Sequence, residues 1–598
     1  MHTVSALPIP LLVFLPACGQ VVDESFAGMG WDVGEKATVC SSGGSYTTIQ
    51  AAINAASSGG TITVCAGTYK ERLTVAGKTV TLTGAGFSTT ILDADNSGSA
   101  LKVTGGGKVT LSGMTVTKAK TGGLYCKDAT LVVSDSAITA NKSSSAGGGL
   151  YSFNCAITVS GVSFSSNTSS SRGAGIYAES CSGAISNSTF SANLASSKGG
   201  GVALKSGTVT IDGNTFTGNS GTHGGGAYVE ADSDVTDNAF AWNTSIYHGG
   251  GAYSAAGDGD YTGNTFTDNY AGEDGGGLYI NVSYAYVADN VFEGNDAFDD
   301  GGGLRALTSY PTIERNTFDS NTAGDSGGGV KLSHKYGTFT DNVVIDNVAV
   351  TTGGGMYLDE DTTVVSGCTF EGNNADIGGG LYQAGGWRLA EIEDTEFIDN
   401  TAATKGGGLA VSLSAYGVQT VRTTFSANTA GYGAAIHSDG SKLRIHNTLL
   451  HWNTATASGG GLYALSGDTD VLNSVFYRNA APWASAIYAY NLTGAGVHNS
   501  IFYKNNTGAA TVVGAGSLTW KYNDHYNQSS GDFSGMSDPT GTNGNLAVYP
   551  EFGDASEGDF VLEADSPLRN AGDPSGSYYD VDGSRNDMGI FGGPVGSW

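Results

Sequence analysis

Two sets of residues in this 598-residue chain are spaced so that they could do chemistry. The first is aromatic. Tyr151, Tyr177, Tyr228, Tyr253, Tyr279, Tyr357, Tyr382, Tyr463 and Tyr488 recur at one position of a repeated segment. A row of tyrosines on one face can stack on sugar rings or a protein partner, or can stack only on itself and stiffen that face. Tyr228, Tyr253 and Tyr279 form one stretch and Tyr357 and Tyr382 a second, separated by Arg305 and Lys331, which read as solvated surface. The second set is acidic. Glu273, Asp299, Asp325 and Asp376 stand two residues before glycine triplets. Carboxylates one strand spacing apart repel unless a cation bridges them, so this column is either a calcium site or a solvated edge. Asp580, Asp582 and Asp587 offer the same ion a second group of carboxylates. Glycan hydrolysis needs a close carboxylate pair, and no Asn-Thr-Asp, Gly-Asp-Asp or Trp-x-Asp-His motif supplies one. His223, His248, His334, His437, His446 and His451 share no consistent repeat position. No catalytic residue is assigned.

A repeat must position these residues. The pattern F-x-x-N, a short polar loop, then G-G-G-hydrophobic-Tyr returns about every 26 residues, with its Asn at 141, 167, 193, 219, 243, 269, 295, 321, 347, 373, 400, 428, 453, 479 and 505. A unit this short cannot bury its own core, so copies must stack on one another. Residues 173–198 show how. Gly175 to Glu179, Gly183 to Asn187 and Thr189 to Ala192 alternate as three short strands with no helix between them. Three columns face inward, typified by Leu278, Val287 and Phe292. The repeated Asn predicts an amide ladder with one rung per strand spacing of about 4.8 Å. A second ladder runs through Asn214, Asn238, Asn264, Asn290, Asn316 and Asn342, with Cys368 as a small substitute in its column. The fold class is all-β: a right-handed parallel β-helix of roughly 18 coils, three strands each, over residues 38–515. Thr47 or Thr48 can cap a short helix bearing Ile49, Ala52, Ile53 and Ala56 on one face, placed to cover the first open edge. Residues 516–598, with Pro550, Pro567, Pro574 and Pro594, read as a closing cap.

Net charge is −29, so phosphate recognition has no obvious lysine and arginine cluster and nucleic acid is excluded as a partner. The same balance favours neutral glycans or a protein surface over polyanions. Residues 1–18 read as a signal peptide, because Leu11 to Ala17 is apolar but too short to span a bilayer. Residues 19–37 read as a tether. Cys155 and Cys181 occupy one position in consecutive coils, within the Cα range a disulfide tolerates, and are expected to bond, as are Cys40 and Cys65.

Three resemblances add to this reading. Leu15-Pro16-Ala17-Cys18 resembles a bacterial lipobox, which implies lipidation of Cys18 and attachment to an outer membrane or cell surface, a cleaved secretion signal being the alternative. The pairing of F-x-x-N with G-G-G-hydrophobic, as in Phe266 to Asn269 with Gly275 to Leu278, resembles the repeats of chlamydial polymorphic outer-membrane proteins, and implies a surface β-helix that acts in adhesion. Tyr46 to Ile53 with Ala66 to Glu71 resembles the opening coil of pectin-esterase and pectate-lyase β-helices, which makes a carbohydrate-active enzyme the alternative function. A structural surface spacer is a third.

Overall fold

The computed structural model describes residues 36–596, apart from 282–283, 308–309, 334–335, 361–362, 387, 415, 515–517 and 530. The proposed signal, lipobox and Cys18 lie outside the described residues. The chain winds into a right-handed parallel β-solenoid of about nineteen turns with three sheets. One coil runs through Leu278–Asn281, Tyr286–Ala288 and Val291–Glu293, followed by the two-residue strand Asp296–Ala297. That fourth, minimal strand was not anticipated. Thirteen coils have one, and together they make the third sheet. Pairing between coils is parallel and in register, as in Phe266 against Phe292 and Tyr253 against Tyr279.

Alternation along each strand decides what faces inward. Leu278, Val287 and Phe292 are fully buried, and each such side chain stabilises the coil by about 1.5–3 kcal/mol. The phenylalanines stack with centroids 4.6–5.1 Å apart through most of the shaft. Val344 replaces phenylalanine in one coil, and Phe339 of the neighbouring column fills the space, 6.0 Å from Phe318 and 6.3 Å from Phe370. The glycine triplets let coils approach. A Cβ on Gly277 would lie 2.6 Å from the Gly303 carbonyl oxygen, and Gly275 holds φ at +68°.

The asparagine ladder is continuous. Asn295 donates from Nδ2 to Phe266 O (2.8 Å) and to Asn321 Oδ1 (2.9 Å), while its Oδ1 accepts from Asn269 N (3.1 Å) and Asn269 Nδ2 (2.9 Å). The same pattern runs from Asn141 to Asn505, where Gln528 Oε1 takes the next rung from Asn505 N at 2.9 Å. In the second ladder Cys368 Sγ accepts from Asn342 N (3.5 Å), and burial pushes its thiol pKa up to about 12.

Both ends are closed. Helix α1 (Ile49–Ala55) buries Ile49, Ala52 and Ile53, and Glu71 accepts from the amides of Ile49 (2.8 Å) and Gln50 (3.0 Å) at its start. Lys36 and Ala37, expected in the tether, already belong to the first strand, Lys36–Val39. The shaft also outlasts residue 515, since Thr519–Lys521 and Asp524–Tyr526 pair as another coil. The rest of the expected cap folds back along the flank. Phe552, Phe560, Leu568 and Ile590 pack on Leu449, Val475, Tyr477 and Ile501. Asn447 Nδ2 donates to Ile590 O and Gly592 O, and Gly589 N donates to Asn499 O.

The structure bonds Cys40 to Cys65, Cα atoms 5.1 Å apart. It does not bond Cys155 to Cys181. Cys155 pairs with Cys126, at a Cα distance of 6.5 Å, and Cys181 is a buried free thiol. Column reasoning compared only equivalent positions and missed this diagonal across a corner of the coil. Cys181 Sγ instead accepts from Cys155 N at 3.4 Å.

Two outcomes follow. A non-reduced digest should yield Cys40–Cys65 and Cys126–Cys155 peptides with Cys181 and Cys368 alkylatable after unfolding; a Cys155–Cys181 peptide would refute the diagonal pairing. Asn295→Leu keeps the volume but orphans several buried groups at about 1–3 kcal/mol each, so chemical unfolding should register a loss of at least about 3 kcal/mol. A loss under about 1 kcal/mol would mean that neighbours or water take over those bonds.

Candidate functional site

The tyrosines leave the shaft at the second residue of each first strand. Strand pairing makes one exterior column of Lys102, Tyr125, Tyr151, Tyr177, Ala203, Tyr228, Tyr253, Tyr279, Arg305, Lys331, Tyr357 and Tyr382. Register stacks the rings on one another: Tyr125–Tyr151 at 5.2 Å, Tyr228–Tyr253 at 5.1 Å, Tyr253–Tyr279 at 4.9 Å and Tyr357–Tyr382 at 5.3 Å, with interplanar angles of 21° or less. Ring faces therefore meet other rings, and edges and hydroxyls point outward.

The proposed ligand residues are mostly covered. Tyr228, Tyr253 and Tyr279 point away from the shaft but are only 3%, 7% and 3% exposed. A ridge of residues just before the glycines covers them. Lys198 Nζ donates to the Tyr228 hydroxyl at 2.6 Å, His223 meets Tyr253 edge-on at 5.4 Å, and His248 stacks on Tyr279 at 4.6 Å. His223 and His248 do occupy consecutive rungs, which the sequence did not reveal, and burial pushes His223 down to about 4. Tyr357 and Tyr382 stay half-buried. Arg305 and Lys331 are not solvated surface, being 6% and 8% exposed. Lys331 Nζ lies 2.7 Å from Asp300 Oδ2 and 4.6 Å over the Tyr357 ring, so it caps that stretch of the ladder. Lys102 and Lys198 sit in the same way against Tyr125 and Tyr228, at 6.0 and 4.3 Å.

The acidic column also stacks. Asp299 N donates to Glu273 O and Asp325 N to Asp299 O, so the three are consecutive rungs. Glu273 turns to His248, Oε2 to Nε2 at 3.3 Å, and burial raises the carboxyl pKa of neighbouring Asp274. Asp580 is held by the amides of Asp587 (3.1 Å) and Gly593 (2.6 Å), Asp582 by Ser584 N (2.8 Å), and Asp587 accepts from Asn570 N (2.5 Å). Among the described residues, no group of three or more His, Cys, Asp or Glu side chains is placed to hold a metal ion. Backbone amides already occupy the cap carboxylates that were offered to calcium.

An open groove of about 840 Å³ lies beside the first coils. Lys102, Tyr125, Tyr151, Tyr177, Arg172 and Lys205 line it, with Ser99, Thr121, Ser145 and Ser171. Lys205 Nζ contacts Glu179 Oε1 at 2.8 Å and Arg172 Nη1 contacts Glu230 Oε2 at 3.1 Å. The Tyr177 hydroxyl donates to Glu179 Oε2 at 2.7 Å. The Lys205 hydrogen bond, then that of Tyr177, holds Glu179 below the usual carboxylate range, while burial and Glu179 make the Tyr177 phenol less acidic. The site suits an oxygen-rich polar ligand lying along the axis. Sequence reasoning missed Lys102, Tyr125, Arg172 and Lys205. The available signal was local charge. Residues 36–205 hold thirteen lysines and arginines against six aspartates and glutamates, or +7, in a chain of −29.

The chain belongs to the right-handed β-helix family: the model of the right handed beta helix region matches residues 88–240 and 225–395. No curated protein matches it. Solved structures of similar shape include a mutant of the PL6 family alginate lyase AlyGC (11% identity, TM-score 0.31, 86% of this chain and 100% of that one). Another is a mannuronic acid specific polysaccharide family 6 lyase from human gut microbiota (11%, 0.27, 62% and 82%). A third is a rhamnogalacturonan lyase (12%, 0.17, 90% and 98%). Likeness at this level adds nothing on activity.

Covered tyrosines should behave as structure. Tyr253→Ala should cost about 3 kcal/mol in chemical unfolding through lost ring contacts and a cavity, and Tyr382→Ala less than half of that. Equal, small losses would return Tyr253 to the solvent-facing class.

Proposed function

We propose that this protein is an exported β-helix that binds glycan chains along its exterior without transforming them. The observation that carries this reading is the groove of the first coils, where tyrosine hydroxyl edges and three cations face one open trough. Glycans present hydroxyls at regular intervals, and a column with one donor per coil is matched to such a repeat. The binding stretch moves from Tyr228–Tyr382 to Tyr125 and Tyr151, which stay partly exposed on the wall of this trough, while Tyr177 at 5% is as covered as Tyr228 and Tyr253. The resemblance to surface β-helix repeats supports a place in adhesion, with the Cys18 lipobox as anchor. Two disulfides suit the oxidising compartment that export implies.

The test is an array of neutral and acidic glycans probed with the full chain. Binding to at least one class is expected, weakened at least about tenfold, or 1.4 kcal/mol, by combining Lys102→Ala with Tyr151→Phe, at unchanged melting temperature. Failure to bind any glycan would overturn the proposal. Release of reducing or unsaturated ends from a bound polysaccharide would replace it with the enzyme reading.

A further inference from the structure

We infer that the ligand of this groove is an acidic polysaccharide bearing carboxylate groups, bound at the N-terminal end of the shaft and parallel to its axis. The inference rests on the glycan-binding reading and names the class of glycan. Whole-chain charge argues against a polyanion, but the charge is segregated. With +7 on residues 36–205, the rest of the chain carries −36. A second hollow of about 420 Å³ shares Ser99 and Lys102 with the groove and adds Lys70 and Arg72, so the cationic trough continues past the last tyrosine. The rungs from Leu73 through Leu101, Leu124, Leu150 and Ile176 to Val202 cover five strand spacings, roughly 24 Å.

The cations in this trough are of two kinds. Lys205 and Arg172 already close on the carboxylates of Glu179 and Glu230, and Lys70 lies 3.4 Å from Asp95. Arg72 and Lys102 are exposed and, among the described residues, in no ion pair. The paired cations show that the trough accommodates carboxylates at contact distance, and the unpaired ones leave charge for a ligand to neutralise. Beyond Lys205 the ridge passes through His223 and His248 to Asp274 and Asp300, with Glu273, Asp299 and Asp325 in the adjoining column, and a polyanion would be repelled there. Field and trough therefore end together.

The same geometry disfavours single-stranded nucleic acid. Such strands are held by bases stacking on exposed aromatic faces. Here Tyr125, Tyr151 and Tyr177 turn their faces to one another, with centroids 5.2 and 5.6 Å apart, and Lys102 caps the open end. Edge hydroxyls and ammonium groups remain, which favours sugars with carboxylates.

The experiment measures binding of the full chain to polygalacturonate, its fully methyl-esterified form, a neutral glucan and single-stranded oligothymidylate. Polygalacturonate alone should bind, at least about tenfold more weakly at 0.5 M than at 0.05 M salt, because the contacts are ionic and exposed. Arg72→Gln with Lys102→Gln should abolish binding, and Arg72→Lys with Lys102→Arg should restore it, all at wild-type melting temperature. Equal binding of the ester and the acid, or of the neutral glucan, would overturn the carboxylate inference while leaving glycan binding in place. Binding of the oligothymidylate as tightly as polygalacturonate would overturn it in favour of a general polyanion site. Absence of binding to every probe would remove both.

Discussion

Everything in this protein depends on one hydrogen-bonded rung. An asparagine amide has two donors and two acceptor lone pairs, and at the turn after each phenylalanine all four are used. One bond goes down to a carbonyl, one across to the next amide, and two are received from the coil before. Because each rung is satisfied only by an identical neighbour one strand spacing away, the ladder locks the register of adjacent coils. A slip by one residue would invert every side chain between core and exterior. The glycines belong to the same constraint, since coils at ladder distance leave no room for a Cβ at Gly277.

Locked register has a consequence outside the core. Any residue type repeated at an exterior position must stack on itself, whatever its own affinity for ligands. The tyrosine row obeys this rule, as the phenylalanine core does, and its faces are consumed by its neighbours. At three of the places where the row changes residue type, a cation lies against the end ring: Lys102 at Tyr125, Lys198 at Tyr228 and Lys331 at Tyr357. Arg305 and Lys331 are thus part of how the column is built. What the exterior can offer a ligand is edges, hydroxyls and whatever charge stays unpaired.

The core was legible in the sequence because two signals coincide there. Period 26 places the coils, and alternation by two sorts Leu278, Val287 and Phe292 from their neighbours. The exterior was less legible because pointing outward and being exposed are different properties. Tyr253 points outward and is 7% exposed, covered by a ridge that no strand pattern encodes. The Cys126–Cys155 bond crosses between columns, and a column comparison weighs only residues at one repeat position. The tail that returns to Asn447 and Asn473 depends on contacts more than 110 residues apart in the chain, beyond the reach of a repeat. The groove was missed for a different reason: summing charge over the whole chain hid a basic third inside an acidic total.

That segregation is itself permitted by the architecture. In a solenoid each coil touches only its neighbours, so the energy of one stretch is nearly independent of the charge on a distant one. A globular domain of this composition would fold its basic and acidic segments against each other and cancel them. Here the end of the +7 stretch and the start of the acidic ridge at Glu273 are held three coils apart by a rigid shaft, roughly 14 Å and further than the screening length of about 8 Å at physiological salt. Each end therefore presents its own field to solvent. The ladder that fixes register is thus also what keeps Arg72 and Lys102 away from the acidic coils, whereas Arg172, nearer to them, is already closed on Glu230.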